Sequence, residues 1–156
     1  MRYAGLETND IINGEGVCVS FWTQGCPHKC VGCHNPETWD YSEGLELPND
    51  IRGQIIKAIS ANGLTRNFSV LGGEPLCKNN LALTLDIVSA VRIAYPGIKI
   101  FLWTGYTKEE LDLEQTEVLK HIDVLIDGPF IQELRDTTLK LRGSSNQRVL
   151  KKGIDF

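Results

Sequence analysis

Between Val17 and Thr23 apolar and polar side chains alternate, and the segment runs directly into a loop rich in cysteine. A period of two marks a half-buried strand. Three later apolar runs read the same way. They are Asn67–Leu71, ending at Gly72-Gly73-Glu74-Pro75, Ile98–Trp103, ending at Thr104-Gly105-Tyr106, and Asp123–Ile126, ending at Asp127-Gly128-Pro129. Between these runs the period lengthens to that of a helix. Asp50–Ala61 sets Ile51, Ile55, Ile56 and Ile59 on one face, with Asn49 or Asp50 as cap, and Asn80–Ala94 carries Leu81, Leu85, Val88, Val91 and Ile93. A shorter helix is predicted over Leu111–His121. Strands alternating with helices imply a parallel sheet joined by right-handed crossovers. A complete eight-fold barrel takes about 250 residues, and the chain has 156. The expected architecture is therefore α/β, an incomplete, open (β/α) barrel with parallel strands, forming one domain over residues 1–156. No internal repeat, low-complexity tract or linker rich in Pro, Gly and Ser interrupts it.

In folds of this kind the functional groups sit at the carboxyl ends of the strands. The cysteine loop, the double glycine, Thr104 and Asp127 all fall there. The loop reads Cys26-Pro-His-Lys-Cys30-Val-Gly-Cys33, a C-x3-C-x2-C spacing. A closed structural site uses four protein ligands, whereas three leave a coordination position open for chemistry. Three thiolates on a 4Fe-4S cluster hold three irons and expose the fourth. Two other uses of these cysteines compete. A zinc site completed by Cys77 or a histidine is one, although zinc more often takes paired C-x2-C knuckles, and no second knuckle occurs. A disulfide framework is the other. Five cysteines is an odd number, no secretory segment is read at the amino end, and a chain of this length builds a core without staples. The spacing resembles that of the radical S-adenosylmethionine enzymes. That resemblance implies that the open iron chelates S-adenosylmethionine and that reductive cleavage releases a 5′-deoxyadenosyl radical.

Gly72-Gly73-Glu74-Pro75 is the second constellation. A double glycine at a strand end lets backbone carbonyls approach a ligand, and Glu74 is suited to bind the ammonium of the cofactor's methionine part; a tight turn is the bland alternative. His34 follows the last cysteine, where enzymes of this kind keep an aromatic ring beside the adenine. Thr104 and Asp127 are candidates to hydrogen-bond ribose or carboxylate, with a strand-end cap or turn as the alternative. Cys18 reads as a small core residue, and Cys77, at the start of a helix, as packing. His28 reads as a solvated loop residue, and His121 as serving a helix dipole. Trp22, Trp39 and Trp103 read as core aromatics.

Composition narrows the partners. At 42% hydrophobic and 23% charged residues the chain is globular. No apolar run approaches the roughly 20 residues of a membrane span. A net charge of −4 argues against a nucleic-acid surface; the basic Arg148–Lys152 segment reads instead as an exposed strand end. Reduced cysteines without a targeting segment imply the cytoplasm. Neither a flavin fingerprint nor a second cysteine cluster is present, so electrons must come from an external low-potential donor such as a flavodoxin or ferredoxin. Little chain remains to enclose a small substrate once a cofactor is seated. Another protein, bringing its own wall and shielding a radical from water, fits better.

Several segments together resemble one family, the anaerobic ribonucleoside-triphosphate reductase activating proteins. They are Asn13-Gly14-Glu15-Gly16, the cysteine loop with His34-Asn35-Pro36-Glu37-Thr38-Trp39, Trp103-Thr104-Gly105-Tyr106, Asp123–Gly128 and Arg142-Gly143-Ser144-Ser145-Asn146-Gln147-Arg148. The resemblance covers nearly the whole chain. It implies an activase that abstracts hydrogen from a backbone glycine of the large reductase subunit, leaving a glycyl radical. It further implies that Cys26, Cys30 and Cys33 hold the cluster, while Gly32, Cys33, His34 and Glu74 contact S-adenosylmethionine. His34 stands where relatives more often carry tyrosine, and Glu74 where they often carry aspartate. Two alternatives stay open: a small-molecule radical enzyme such as a 7-carboxy-7-deazaguanine synthase, and a zinc module that only binds a partner.

Overall fold

The computed structural model describes residues 1–156. Its strands are β1 (Arg2–Asp10), β2 (Cys18–Thr23), β3 (Leu45–Glu46), β4 (Asn67–Gly72), β5 (Ile100–Trp103), β6 (Val124–Asp127) and β7 (Arg148–Lys151). Its helices are α1 (Ile51–Ile59), α2 (Leu81–Ala94) and α3 (Leu113–Leu119). The strands form one seven-stranded sheet in the order β3-β1-β2-β4-β5-β6-β7. The four central strands, β2, β4, β5 and β6, are parallel; β1 and β7 flank them antiparallel, and β3 pairs antiparallel to β1 at the outer edge. The sheet does not close on itself, as expected of an open barrel, and it is mixed rather than wholly parallel.

Period-two alternation gives the central strands two different faces. Val19 and Phe21 of β2, Phe68 and Val70 of β4, Ile100 and Leu102 of β5 and Leu125 of β6 meet the buried faces of the three helices in one core cluster of 17 residues. Removing such side chains from water supplies the main drive to fold, about 1.5–3 kcal/mol for each large one. The opposite face carries Ser20, Trp22, Ser69, Leu71, Phe101 and Trp103 and lines the interior of the open barrel. A second, smaller cluster of Phe101, Val124 and Ile126 lies on that side.

The helix faces differ in detail from expectation. On α1 the buried residues are Ile51, Ile55 and Ile59, while Ile56 is half-buried. Asp50 is the N-cap by position, but its carboxylate accepts from Gln54 Nε2 instead of capping the backbone. On α2 the buried stripe is Thr84, Ile87, Val88 and Val91, and Ile93 is 81% exposed, so that residue belongs to the solvent face. The third helix is shorter than expected and starts with a capping box between Asp112 and Gln115. Strand β1 was not expected. Register shifts between Tyr3 and Gly5 and between Glu7 and Asp10 break its alternation, which hides a strand from a period-two search. Strand β7 coincides with the basic segment read as a strand end. No helix is long and apolar enough to cross a membrane.

At the amino end of β2 the Ile11–Val17 loop folds back over the inner face. Asp10 accepts hydrogen bonds from Ser20 Oγ, Asn13 Nδ2 and the Ile12 and Asn13 amides, and Ser69 Oγ donates to the Asn13 carbonyl. Gly14 lies so close to the strands that a Cβ there would sit 2.6 Å from Cys18 Sγ. This loop closes one end of the interior, and the other end carries the cysteines.

Candidate functional site

The loop after β2 is tied at its base. Gly25 N donates to Thr38 O at 2.7 Å and Cys26 N to Trp39 O at 3.1 Å, while Gln24 Nε2 reaches the carbonyls of Glu37 and Asp40. Asn80, buried at the start of α2, donates to the carbonyls of Gln24, Gly25 and Glu74 and so joins that base to the end of β4. A polar residue at a helix start reads from sequence as a cap, which hid this role. Within the loop Lys29 and Gly32 have positive φ (49° and 77°), turning the chain so that Cys26, Cys30 and Cys33 line one cavity.

That cavity has a volume of about 940 Å³ and runs from the carboxyl ends of the central strands along the inner face to the Ile12–Gly16 loop. His34, Gly72, Gly73, Glu74 and Thr104 line it with the cysteines. Trp22, Trp39 and Trp103 line it as well, which corrects their reading as core aromatics. The buried indole N–H of Trp39 has no partner. Unpaired buried donors are uncommon and call for an explanation, a bound ligand being one.

All five cysteines are free thiols. Burial pushes the Cys26 thiol up to about 11, with the Glu74 carboxylate adding to the rise; a metal that displaces the proton reverses this preference. Asn35 N donates to Cys33 Sγ at 3.4 Å. Cys26, Cys30 and Cys33 together offer three thiolates to one cavity, a soft donor set that suits an iron–sulfur cluster with one iron left open. Cys77 lies in the turn ahead of α2 rather than in the helix, buried, with Tyr41 Oη 3.7 Å from its sulfur.

Glu74 is wholly buried and accepts four hydrogen bonds. His28 Nε2 and Gly105 N donate to Oε1, each at 2.7 Å, and Leu76 N and Thr104 Oγ1 donate to Oε2, each at 2.8 Å. His28 is therefore not a solvated loop residue, and Thr104 spends its hydroxyl proton on Glu74. The double glycine serves close backbone approach: a Cβ at Gly72 would meet the backbone of Thr23 at 2.6 Å, and one at Gly73 would overlap the Gly25 carbonyl. Asp127 does not line the cavity. It is buried beneath Arg148, which donates to both its oxygens, and it also accepts from Lys108 N. Gly32 likewise stays outside the cavity, against the Gln132 side chain. His34 packs edge-on against Phe130, with ring centroids 5.3 Å apart. Phe130, absent from the sequence-based set, also lines the cavity, as do Leu139, Lys140, Leu141 and Arg142 from the segment before β7.

Comparison with known proteins agrees with this geometry. The family model described as a 4Fe-4S single cluster domain matches residues 12–150. The anaerobic ribonucleoside-triphosphate reductase-activating protein of Vibrio cholerae is 40% identical over 148 residues, which cover 94% of this chain and 96% of that protein. The protein of the same name from Escherichia coli K12 is 39% identical over 150 residues, 96% of this chain and 97% of the relative. That of Enterobacteria phage T4 is 37% identical over 150 residues, 96% of this chain and 93% of the relative. With its cysteine loop, its cavity and this nearly full-length similarity, the chain belongs to the family of anaerobic ribonucleoside-triphosphate reductase-activating proteins.

Proposed function

We propose that the chain activates its reductase by radical S-adenosylmethionine chemistry, generating a glycyl radical on the large subunit. The observation that carries this reading is that Cys26, Cys30 and Cys33 line the same cavity as His34, Gly72, Gly73 and Glu74. Its volume lies at the upper end of what small-ligand sites use, room for a nucleoside cofactor beside a cluster. Cys26, Cys30 and Cys33 would hold the 4Fe-4S cluster and leave one iron open. When bound, such a cluster supplies the electron that cleaves S-adenosylmethionine to methionine and a 5′-deoxyadenosyl radical.

The chain's own residues bind and orient. His34 and Phe130 offer aromatic edges and faces to the adenine. The backbone at Gly72 and Gly73 borders the cavity without side chains, which leaves its carbonyls available to the cofactor's ammonium. Val31, 75% exposed, puts apolar surface on the cysteine loop. A docking protein covers such surface and excludes water from the radical. Electrons come from an external low-potential donor, a flavodoxin or ferredoxin.

The test is electron paramagnetic resonance. Reduced, cluster-loaded protein with S-adenosylmethionine and the matching large subunit is expected to give a doublet, because one α-hydrogen remains on a glycyl radical. Replacing the subunit's radical glycine by alanine should erase the doublet. Cleavage of S-adenosylmethionine without any radical on the partner would overturn the proposal in favour of a small-molecule substrate.

A further inference from the structure

The loop that presents the cysteines is attached to the rest of the fold in an uneven way. Its base is held by Gly25 and Cys26. Apart from turn contacts inside the loop, Cys33 N to Cys30 O at 3.1 Å and the His28 and Lys29 amides to the Cys26 sulfur, the only hydrogen bond that residues 27–32 make to the rest of the fold is His28 Nε2 to Glu74 Oε1, at 2.7 Å. The acceptor is fixed. Glu74 is wholly buried, and its three other donors come from the turn after β4 (Leu76) and the end of β5 (Thr104 and Gly105). An ionised carboxylate is acceptor-only, so His28 presents its Nε2–H to it. The ring also meets Tyr106 edge-on, centroids 4.6 Å apart. Its seat is cut to shape by a glycine, since a Cβ on Gly105 would lie 2.5 Å from His28 Cδ2.

We propose that His28 is a positioning residue for the cluster: bonded to Glu74 and seated on Gly105 and Tyr106, it holds the stretch between Cys26 and Cys30 over the ends of β4 and β5, so that the thiolates face the cavity. On this view Glu74 orders the loop, and its charge is already met by protein donors. A thiolate loop free to wander must be ordered by the cluster itself, and that cost appears as weaker retention. The role rests on Cys26, Cys30 and Cys33 being the cluster ligands.

Three variants separate positioning from other roles. His28→Gln keeps an N–H able to reach Glu74. His28→Phe keeps the ring against Tyr106 and loses the donor. Gly105→Ala leaves His28 intact and fills its seat, and φ at Gly105 lies outside the range that strains alanine. Each is reconstituted anaerobically, analysed for iron and sulfide, and challenged with an iron chelator. Wild type and His28→Gln are expected to retain the cluster similarly. His28→Phe and Gly105→Ala are expected to lose iron about tenfold faster or more, the scale of a lost charge-assisted hydrogen bond. Hydrogen exchange of the cluster-free proteins gives a second readout independent of loading, with residues 27–32 exchanging faster in His28→Phe and Gly105→Ala than in His28→Gln. Should His28→Phe not fold, Gly105→Ala carries the comparison alone. Retention and exchange equal to wild type in both would overturn the proposal. So would loss of the cluster in His28→Gln as severe as in His28→Phe, which would make the imidazole a ligand. A Cys30→Ala protein that loads a full cluster would instead overturn the ligand assignment beneath it, a result distinct from either.

Discussion

Gly73 and Gly25 meet backbone to backbone where β4 ends and the cysteine loop begins, so closely that a Cβ on Gly73 would overlap the Gly25 carbonyl oxygen. The contact is locked on both sides, since Glu74 N donates to that same oxygen at 2.9 Å and Gly73 N donates to Thr23 O at 2.9 Å. Gly73→Ala is therefore expected to push the loop base off the sheet, costing about 1–3 kcal/mol as an overpacked site. Thermal unfolding of the cluster-free protein checks the stability, and iron analysis should show reduced loading. Full loading with a loss only in S-adenosylmethionine affinity would assign Gly73 to ligand approach instead of loop support.

Much of this arrangement was legible in the chain, for physical reasons that differ residue by residue. Cys26, Cys30 and Cys33 could be singled out because their spacing is local: a single loop carries all three, and the structure sets them on one cavity. The central strands were readable because Val19 and Phe21, Phe68 and Val70, and Ile100 and Leu102 fall in short, largely apolar runs that end in glycine or turn residues. Strand β1 was not, because its bulges destroy the alternation. The partners of Glu74 were hidden for another reason: His28 and Thr104 lie 46 and 30 residues away in sequence, and no local pattern announces such pairings. Asp127 looked like a ligand-binding group since it ends a strand. Its neutralising partner, Arg148, arrives only when β7 pairs with β6, Asp127 opposite Arg148.

That pair yields a second expectation. The Asp127 side chain is wholly buried, while the Arg148 side chain is 42% exposed. Arg148→Met would leave a buried carboxylate with only the Lys108 amide as donor. Removing one member of a buried pair costs about 3–5 kcal/mol, and the exposure of Arg148 lowers the expectation here to about 2–3 kcal/mol. Urea unfolding measures it. Cluster content should stay near wild type, since neither residue lines the cavity.

Acid sensitivity follows from the loop at the other end of the interior. Burial opposes ionisation of Asp10, yet the hydrogen bonds from Ser20, Asn13 and Ile12 prevail and hold its carboxyl below the usual range. Its folded pKa therefore lies below the unfolded value of about 3.9. The stabilisation is present above that value and lost as pH falls through it and further. Asp10→Asn is expected to lower stability by about 1–2 kcal/mol at pH 7 and to flatten the decline below about pH 4. Unfolding of the cluster-free proteins from pH 3 to 7 tests both. Equal acid limbs in the two proteins would show that other carboxylates govern the loss.

Cysteine substitution separates the ligands from the packing thiols. Cys26→Ala, Cys30→Ala and Cys33→Ala are each expected to abolish a stable 4Fe-4S cluster, because all three line the cavity and an open site has no ligand to spare. Cys18→Ala and Cys77→Ala should retain it, both thiols being buried and neither lining the cavity. Each of those two is expected to lose about 1–2 kcal/mol of stability through the lost sulfur contacts. Iron and sulfide analysis beside thermal unfolding distinguishes the two classes.

His34 and Phe130 provide the most direct check on where the nucleoside part of the cofactor sits. Their rings touch edge-on at 5.3 Å, one from the cysteine loop and one from the segment after β6, and both border the cavity. If the pair receives the adenine, His34→Ala and Phe130→Ala should each weaken S-adenosylmethionine binding by about 0.5–1.5 kcal/mol, or roughly two- to tenfold. The double variant should lose less than the sum, because each ring also braces the other and residues in contact couple. Calorimetry on the cluster-loaded proteins gives the affinities, and unchanged iron content shows that the cysteine loop is intact. Strict additivity would mean that the rings act on different parts of the cofactor. Unaltered affinity in both single variants would put the adenine against another wall, where Trp22, Trp39 and Trp103 remain as aromatic surfaces.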